Sequence, residues 1–286
     1  MVERSGVPDS ASGESLDDNM ESHPPFAAGE ALSCNYEVTE HLHRSNDYDV
    51  YEVYSRERAC SCIAKVPRPD RLGERKVRRA LLREGDLLYN LRHPHIARAY
   101  EVFDTPRPTV ILETLTGETL AYLIDESPKR MALGEICHLG LHLCSALHYL
   151  HGQGMLHLDL KPSNVVSERG MAKILDLSLA RTPGYGRPGV GTTQYMSAEQ
   201  AAGGYLGPAA DVWGLGAVLF EAATGEIPFD APEDGGYEQL IRRAEPVKTY
   251  RRVPPKFDAL VSACLSEDPS QRPGIPEVMA SLNALA

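Results

Sequence analysis

Apolar and polar positions alternate along residues 36 to 66, and this two-residue period predicts β-strands. The three predicted strands are YEVTEHLH (36–43), VYEVYS (50–55) and CSCIAKV (60–66), joined by short polar turns. An Arg- and Leu-rich stretch from about 73 to 91 then has the spacing of a helix and stops before His93-Pro94. Two further strands, AYEVF (99–103) and TVILETL (109–115), are predicted around the turn DTPRP.

From Leu120 onward the pattern predicts helices, with loops at 152–163 and 181–194 and proline-rich joints at 228–232 and 253–255. A run of strands followed by a run of helices predicts an α+β fold in two parts. We expect a small β-rich lobe over 34–115 and a larger helical lobe over 116–286.

Residues 1–33 differ in composition from the rest of the chain. They hold seven acidic residues against one arginine, with Ser, Gly and Pro between them. Such a segment cannot bury enough apolar area to offset the entropy of ordering it, so we predict a disordered acidic tail. It also lacks the basic start and apolar run of a secretory signal, which favours a cytoplasmic protein.

Charge and composition narrow the classes of partner. A formal net charge of −11 disfavours nucleic acid and anionic membranes. The stretch from 136 to 158 has no Asp, Glu, Lys or Arg, but its large apolar residues fall on one helical face and five histidines interrupt it. We therefore predict a core-facing helix and no membrane span.

Metal and disulfide frameworks are not predicted either. The six cysteines show no paired CxxC spacing. His138 and His142 are spaced i, i+4, but no carboxylate or cysteine completes a metal site, so we expect packed or surface histidines.

The stretch HLDLKPSNVV (157–166), followed by KILDLSLAR, holds the groups that transfer of the γ-phosphoryl of ATP requires. Asp159 can orient a hydroxyl, Lys161 can offset phosphate charge, and Asn164 and Asp176 offer oxygen ligands for Mg²⁺. Here the chain resembles the protein kinase family, and Lys161-Pro162 is similar to the serine/threonine branch found in compact bacterial kinases.

Further motifs follow in the family's order from residue 36 to 286. Lys65 in CIAK matches the strand lysine that holds the α- and β-phosphates, and Glu84 matches its helical ion-pair partner. GTTQYMSAEQ (191–200) resembles the peptide-positioning loop, in which Thr192 is expected to hydrogen-bond Asp159 and Lys161. DVWGLG (211–216) resembles the helix whose aspartate steadies the catalytic loop.

The resemblance implies a complete set of site residues, with ATP and Mg²⁺ as cofactors and protein serines or threonines as substrates. Asp159, Lys161, Lys65 and Thr192 are the implied catalytic residues, and Asn164 and Asp176 the metal ligands. The implied ATP-binding residues are Leu42, His43, Ser45, Tyr48, Val50, Ile63, Lys65, Glu84, Glu113, Leu115 and Val166, with Leu112 as gatekeeper. Structural roles are implied for His157, Leu88, Leu177, Glu199, Asp211 and Arg272, the last as the partner of Glu199.

The clearest departure from the family lies in LHRSNDYDVY (42–51). Val50 stands fifteen residues before Lys65, which places His43, Ser45 and Tyr48 where the phosphate loop GxGxxG has its glycines. A backbone without Cβ can approach phosphate closely, so losing all three should weaken the grip. We expect Asp47 and Asp49 to add negative charge there, with partial compensation from Arg44, His43 and Ser45.

Other departures are milder. Leu158 replaces the arginine that pairs with an activation-segment phosphate in many kinases, so a phosphorylation switch loses its receiver. Leu177 and Ser178 replace the Phe and Gly of DFG, Ala198 replaces the Pro of APE, and Ile63 adds bulk where Ala is usual.

Three functions stay open on the sequence alone. The first is an active serine/threonine kinase. The second is a kinase-like scaffold that binds ATP weakly, because the phosphate loop lacks glycines. The third, a phosphotransferase for small molecules, is disfavoured by the peptide-positioning segment.

Overall fold

The computed structural model describes residues 23–126, 130–232 and 235–286. The chain divides into two compact units, Met1–Leu82 with Val102–Ile111, and Arg83–Glu101 with Leu112–Ala286. The lobe boundaries 34–115 and 116–286 stay a prediction.

A six-stranded sheet is built mainly from the first unit, with the strand order β1-β2-β3-β4-β6-β5. Its strands are β1 (Ala31–Ser33), β2 (Tyr36–Arg44), β3 (Tyr48–Ser55), β4 (Cys60–Pro67), β5 (Ala99–Phe103) and β6 (Thr109–Leu112). Strands β2, β3 and β4 run antiparallel, and Val50 on β3 lies opposite Lys65 on β4. The alternation from 36 to 66 therefore predicted the centre of this sheet, whereas the last predicted strand ends at Leu112 and not at 115.

Strand β1 lies inside the stretch that we predicted to be a disordered tail. It pairs with β2, with Ala31 opposite Glu37, and Leu32 is 1% exposed. Residues 31–33 are therefore ordered, because one buried leucine and the strand hydrogen bonds hold this short segment in place. Residues 1–22 of the predicted tail lie outside the described residues.

Seven α-helices occur in the part of the chain that the structure describes. They are α1 (Arg75–Asn90), α2 (Leu120–Asp125), α3 (Leu133–Gly152), α4 (Ala198–Ala202), α5 (Pro208–Thr224), α6 (Pro255–Cys264) and α7 (Ile275–Asn283). Helix α1 agrees with the helix predicted from 73 to 91 within two residues at each end.

Helices α3 and α5 form the core of the second unit. The apolar stripe predicted for α3 is buried, and α3 contacts α5 and α7. Gly140 lets α3 pack closely against α7, because a Cβ at position 140 would lie 2.6 Å from Cδ1 of Leu282. Among the described residues, no helix is long and apolar enough to cross a membrane.

The sequence reading missed a hairpin between these helices, formed by β7 (Val165–Glu168) and β8 (Met171–Ile174). Its two-residue turn, Arg169-Gly170, has positive φ at both positions, 51° and 82°. Such turns match the natural twist of a hairpin. Gly170 is the residue from which this turn could have been predicted. Two further short strands, β9 (Gly184–Tyr185) and β10 (Tyr205–Leu206), pair with each other.

Candidate active site

Asp211 anchors the loop that begins at His157. Its carboxylate, 1% exposed in the first turn of α5, accepts hydrogen bonds from the amides of His157 (2.9 Å) and Leu158 (2.7 Å). Nε2 of His151 lies 2.8 Å from the same carboxylate. A carboxylate suits this position because the N-terminus of a helix attracts negative charge.

Leu158 has left-handed backbone geometry, with φ of 67°. Its side chain is 6% exposed and belongs to an apolar cluster with Leu156, Leu206 and Ala210, against which Leu179 packs. Its carbonyl accepts a hydrogen bond of 2.9 Å from Gln200. The residue that replaces the family's phosphate-binding arginine is therefore part of an apolar core.

The Asp159 side chain is held in a fixed orientation by three neighbours. Its Oδ1 accepts hydrogen bonds from the amide (3.1 Å) and the hydroxyl (2.7 Å) of Thr192. Its Oδ2 lies 3.1 Å from Nδ2 of Asn164 and 3.2 Å from Nζ of Lys161. Lys161 also donates to the Thr192 hydroxyl at 2.8 Å, so both contacts expected of Thr192 are present.

The surroundings of His157 favour the neutral form of its ring. Burial is the largest influence on its ring and lowers its pKa, against the opposing pull of nearby carboxylates such as Asp211. Geometry demands the same state, because Nδ1 of His157 accepts a hydrogen bond of 3.1 Å from the amide of Asp159. A protonated ring has no acceptor there.

Asn164 and Asp176 are brought together by the β7–β8 hairpin. Asn164 immediately precedes β7, and its carbonyl accepts a hydrogen bond of 2.9 Å from the amide of Leu175. The Asp176 carboxylate is oriented by the amide of Ser178, 2.6 Å from Oδ1. An amide oxygen and a carboxylate are hard oxygen donors of the kind that Mg²⁺ prefers, so this pair fits the metal.

An ion pair secures the segment that follows Thr192. Arg272 forms two hydrogen bonds with Glu199, of 2.7 and 2.8 Å, and its side chain is fully buried. The Arg272 guanidinium also lies over the ring of Trp213, 4.9 Å from its centroid. The contact expected between Glu199 and Arg272 is present.

In the first unit, the hairpin tip between β2 and β3 is closed by its own hydrogen bonds. The Ser45 amide donates to the carbonyl of Tyr48 at 2.8 Å, and the Tyr48 amide donates to the Ser45 hydroxyl at 3.1 Å. A glycine-rich phosphate loop offers its amides to phosphate. Here two amides at the corresponding positions are used inside the hairpin.

Asp49 does not add charge beside Val50, and this expectation was wrong. Neighbouring residues of a strand point to opposite faces, and Asp49 lies on the buried face with Tyr51, fully buried. Its carboxylate forms two hydrogen bonds with Arg44, of 2.7 and 2.8 Å, and lies 3.1 Å from His41. Burial raises its pKa, but these bonds outweigh burial and hold the pKa below its ordinary value.

Because Arg44 is hydrogen-bonded to Asp49, it does not compensate negative charge at the hairpin tip. The expectation that Arg44 would do so was also wrong.

The other predicted nucleotide-binding residues are distributed over both units. Leu42 and His43 are exposed, and Ile63 and Lys65 are half-buried. Val166 is 5% exposed in β7, and Glu113 accepts a hydrogen bond of 2.6 Å from Lys173. Leu88, Leu177 and Glu84 are buried. Lys65 and Glu84 belong to different units, and their pairing stays a prediction.

The model of the protein kinase domain family matches residues 36–282, which is most of the chain. The chain belongs to the protein kinase family. The serine/threonine-protein kinase PknB of Mycolicibacterium smegmatis is 30% identical over 259 residues, covering 84% of this chain and 41% of PknB. A probable serine/threonine-protein kinase of Streptomyces coelicolor is 27% identical over 257 residues, covering 84% of this chain and 38% of that protein.

The kinase fold is also seen in a solved structure. A mutant of the PknI kinase domain of Mycobacterium tuberculosis superimposes with a TM-score of 0.72 at 22% identity, covering 91% of this chain and 99% of that one. The kinase chain described here spans about two fifths of the length of its two bacterial relatives.

Three residues that support this kinase site were not found from the sequence. His151 contacts Asp211, Gln200 donates to the carbonyls of Leu158 and Val190, and Arg68 binds the hairpin tip. Each acts on residues at least ten positions away in sequence. Only His151 gave a signal, as a polar side chain near the end of a helix that was predicted to face the core.

Proposed function

We propose that the chain transfers the γ-phosphoryl of ATP to serine and threonine hydroxyls of proteins. The observation that carries the proposal is the fixed Asp159 carboxylate, held by Thr192 and Asn164 with the ammonium of Lys161 beside it. The names of the bacterial relatives support the choice of serine and threonine.

Each residue then has a defined task. Asp159 accepts the proton of the attacking hydroxyl, and Lys161 offsets charge on the transferred phosphoryl. Asn164 and Asp176 hold Mg²⁺, and Lys65 holds the α- and β-phosphates with Glu84 as its predicted partner. The metal supplies charge neutralisation at the phosphate oxygens. The contact between Lys161 and Thr192 keeps the cation beside the carboxylate.

A scaffold that binds ATP weakly is the second candidate, and the closed hairpin favours it. The amides of Ser45 and Tyr48 are engaged within the hairpin, so the phosphate grip lacks two of its usual donors. The cytoplasmic location expected from the sequence stays a prediction.

Radiolabel transfer from Mg-ATP to generic protein substrates tests the proposal. We expect transfer by the natural chain and a loss of at least about a hundredfold in Asp159→Asn and Asp176→Ala, because both remove groups that act on the reacting atoms. Asp230→Asn is the control, since Asp230 is exposed and lies outside the site. Transfer that is unchanged in both site variants would refute the assignment, whereas ATP binding without any transfer would favour the scaffold.

A further inference from the structure

The side chain of Tyr48 lies against the predicted phosphate-binding lysine. Directly opposite strand residues share a face, so Val50 and Lys65 point the same way, and Tyr48 follows on that face two residues before Val50. The Lys65 ammonium lies 5.0 Å from the centroid of the Tyr48 ring. This is the geometry of a cation–π contact.

The phenol is anchored at its far end as well. The Tyr48 hydroxyl donates a hydrogen bond of 3.1 Å to the carbonyl of Val77, in the first turn of α1. The ring therefore bridges β3 and α1 within the first unit, and Lys65 faces it. In the family's register this position holds the third glycine of the phosphate loop, which has no side chain to place there.

The backbone that carries Tyr48 is held in place by Arg68. The Tyr48 ring can therefore move away from Lys65 only through a rotation of its own side chain. Arg68 is 2% exposed and donates from its amide to the carbonyl of Asp47 at 3.0 Å. Its guanidinium donates to the carbonyls of Asn46 (3.1 Å) and Ser45 (3.4 Å). Asp70 orients that guanidinium through two contacts of 3.0 Å.

We propose that Tyr48 controls nucleotide affinity by capping Lys65: its ring must leave the ammonium before the phosphates of a nucleoside triphosphate can reach it. The proposal rests on the function proposed above, in which Lys65 binds phosphate. Nucleotide binding then breaks the cation–π contact and the Val77 hydrogen bond. The cost falls on phosphate binding only, because adenosine has no group that competes for the ammonium.

The test compares Mg-ATP with adenosine, titrated calorimetrically into the natural chain and its variants. Tyr48→Ser removes the ring, and we expect Mg-ATP to bind about 3- to 30-fold tighter, the worth of a cation–π contact, with adenosine affinity unchanged. Tyr48→Phe keeps the ring and loses only the hydroxyl bond, so we expect a smaller gain of about twofold to tenfold. Tyr54→Ser is the matched control, since Tyr54 is an exposed tyrosine on the same face at the other end of β3.

The ratio of the two affinities separates capping from a general structural effect. An equal change in ATP and adenosine binding, or no gain for ATP in either Tyr48 variant, would overturn the inference and leave the proposed function intact. A gain for ATP without phosphotransfer would support capping while refuting the proposed catalysis. Failure of every variant to bind Mg-ATP would overturn both.

Discussion

Replacing Asp211 with asparagine tests whether the catalytic loop is held by that one carboxylate. The substitution keeps the size of the side chain but removes the charge and turns one acceptor oxygen into an NH₂ donor. If the remaining oxygen keeps the Leu158 amide, the new NH₂ faces the amide of His157. A buried backbone donor is then left without an acceptor.

The magnitudes show why one atom should matter. Two hydrogen bonds from backbone amides to a carboxylate are worth about 1.5–3 kcal/mol each. The left-handed conformation of Leu158 costs roughly 1–2 kcal/mol. The two bonds to Asp211 together exceed this cost, so they stabilise the observed loop conformation. With asparagine, one neutral bond of about 0.5–1.5 kcal/mol faces the same strain and an unsatisfied donor costing about 1–3 kcal/mol.

We therefore expect Asp211→Asn to lower the free energy of unfolding by at least about 3 kcal/mol in urea titrations. We also expect the phosphotransfer rate per folded molecule, at saturating Mg-ATP, to fall at least tenfold. Asp159 directly follows Leu158, so a change in the backbone of Leu158 moves the Asp159 carboxylate. Asp258→Asn is the matched control: Asp258 is a buried aspartate of α6 that accepts from the amide of Lys248 at 3.1 Å. It should lose stability and keep its rate.

Equal rates for Asp211→Asn and Asp258→Asn, once corrected for the folded fraction, would show that the loop keeps its geometry without the carboxylate. A stability loss below about 1 kcal/mol would show that the two amide bonds are weaker than buried charge-assisted bonds should be. Either result would refute the reasoning.

Three shorter predictions concern stability. Burial lowers the pKa of His157, so the unfolded chain binds the extra proton at a higher pH than the folded chain. Stability should therefore be full above the ordinary pKa of 6.5 and fall as the pH drops from there toward the folded pKa. Urea titrations from pH 5 to 8 should show this slope flattened in His157→Gln. Leu158→Arg puts a charge into the apolar cluster and should lower the urea midpoint clearly, whereas Leu158→Met should cost less than about 1.5 kcal/mol; equal midpoints would contradict the burial. Asp49→Asn leaves the Arg44 side chain, 4% exposed, without its buried partner and should cost about 3–5 kcal/mol, and a neutral result would mean that the pair is not desolvated.

The order of elements and the core of the site were predictable because both rest on short-range patterns. Alternation located β2 to β4, and the spacing of HLDLKPSN placed Asp159, Lys161 and Asn164 within one loop. The contact of Thr192 with Asp159 joins residues 33 positions apart, and only the family resemblance could suggest it.

Asp49 shows where a local rule was available and was not applied. The strand period places Asp49 on the same face as Tyr51, whose large ring favours burial, so the charge could have been assigned to the core. Arg68 is different: its contacts with Ser45 and Asn46 depend on the path of β4, and no pattern within either segment reveals them.

The residues that depart from the family pattern have different effects in the two units. In the second unit, Leu158 replaces a charged receiver with apolar packing, and Gln200 and the Glu199–Arg272 pair hold the following segment without any added phosphate. In the first unit, the hairpin uses its own amides and Tyr48 faces Lys65. The Asp159 carboxylate is held by contacts that need no phosphate on the activation segment, whereas the capping proposal places the restraint on phosphate binding at Tyr48.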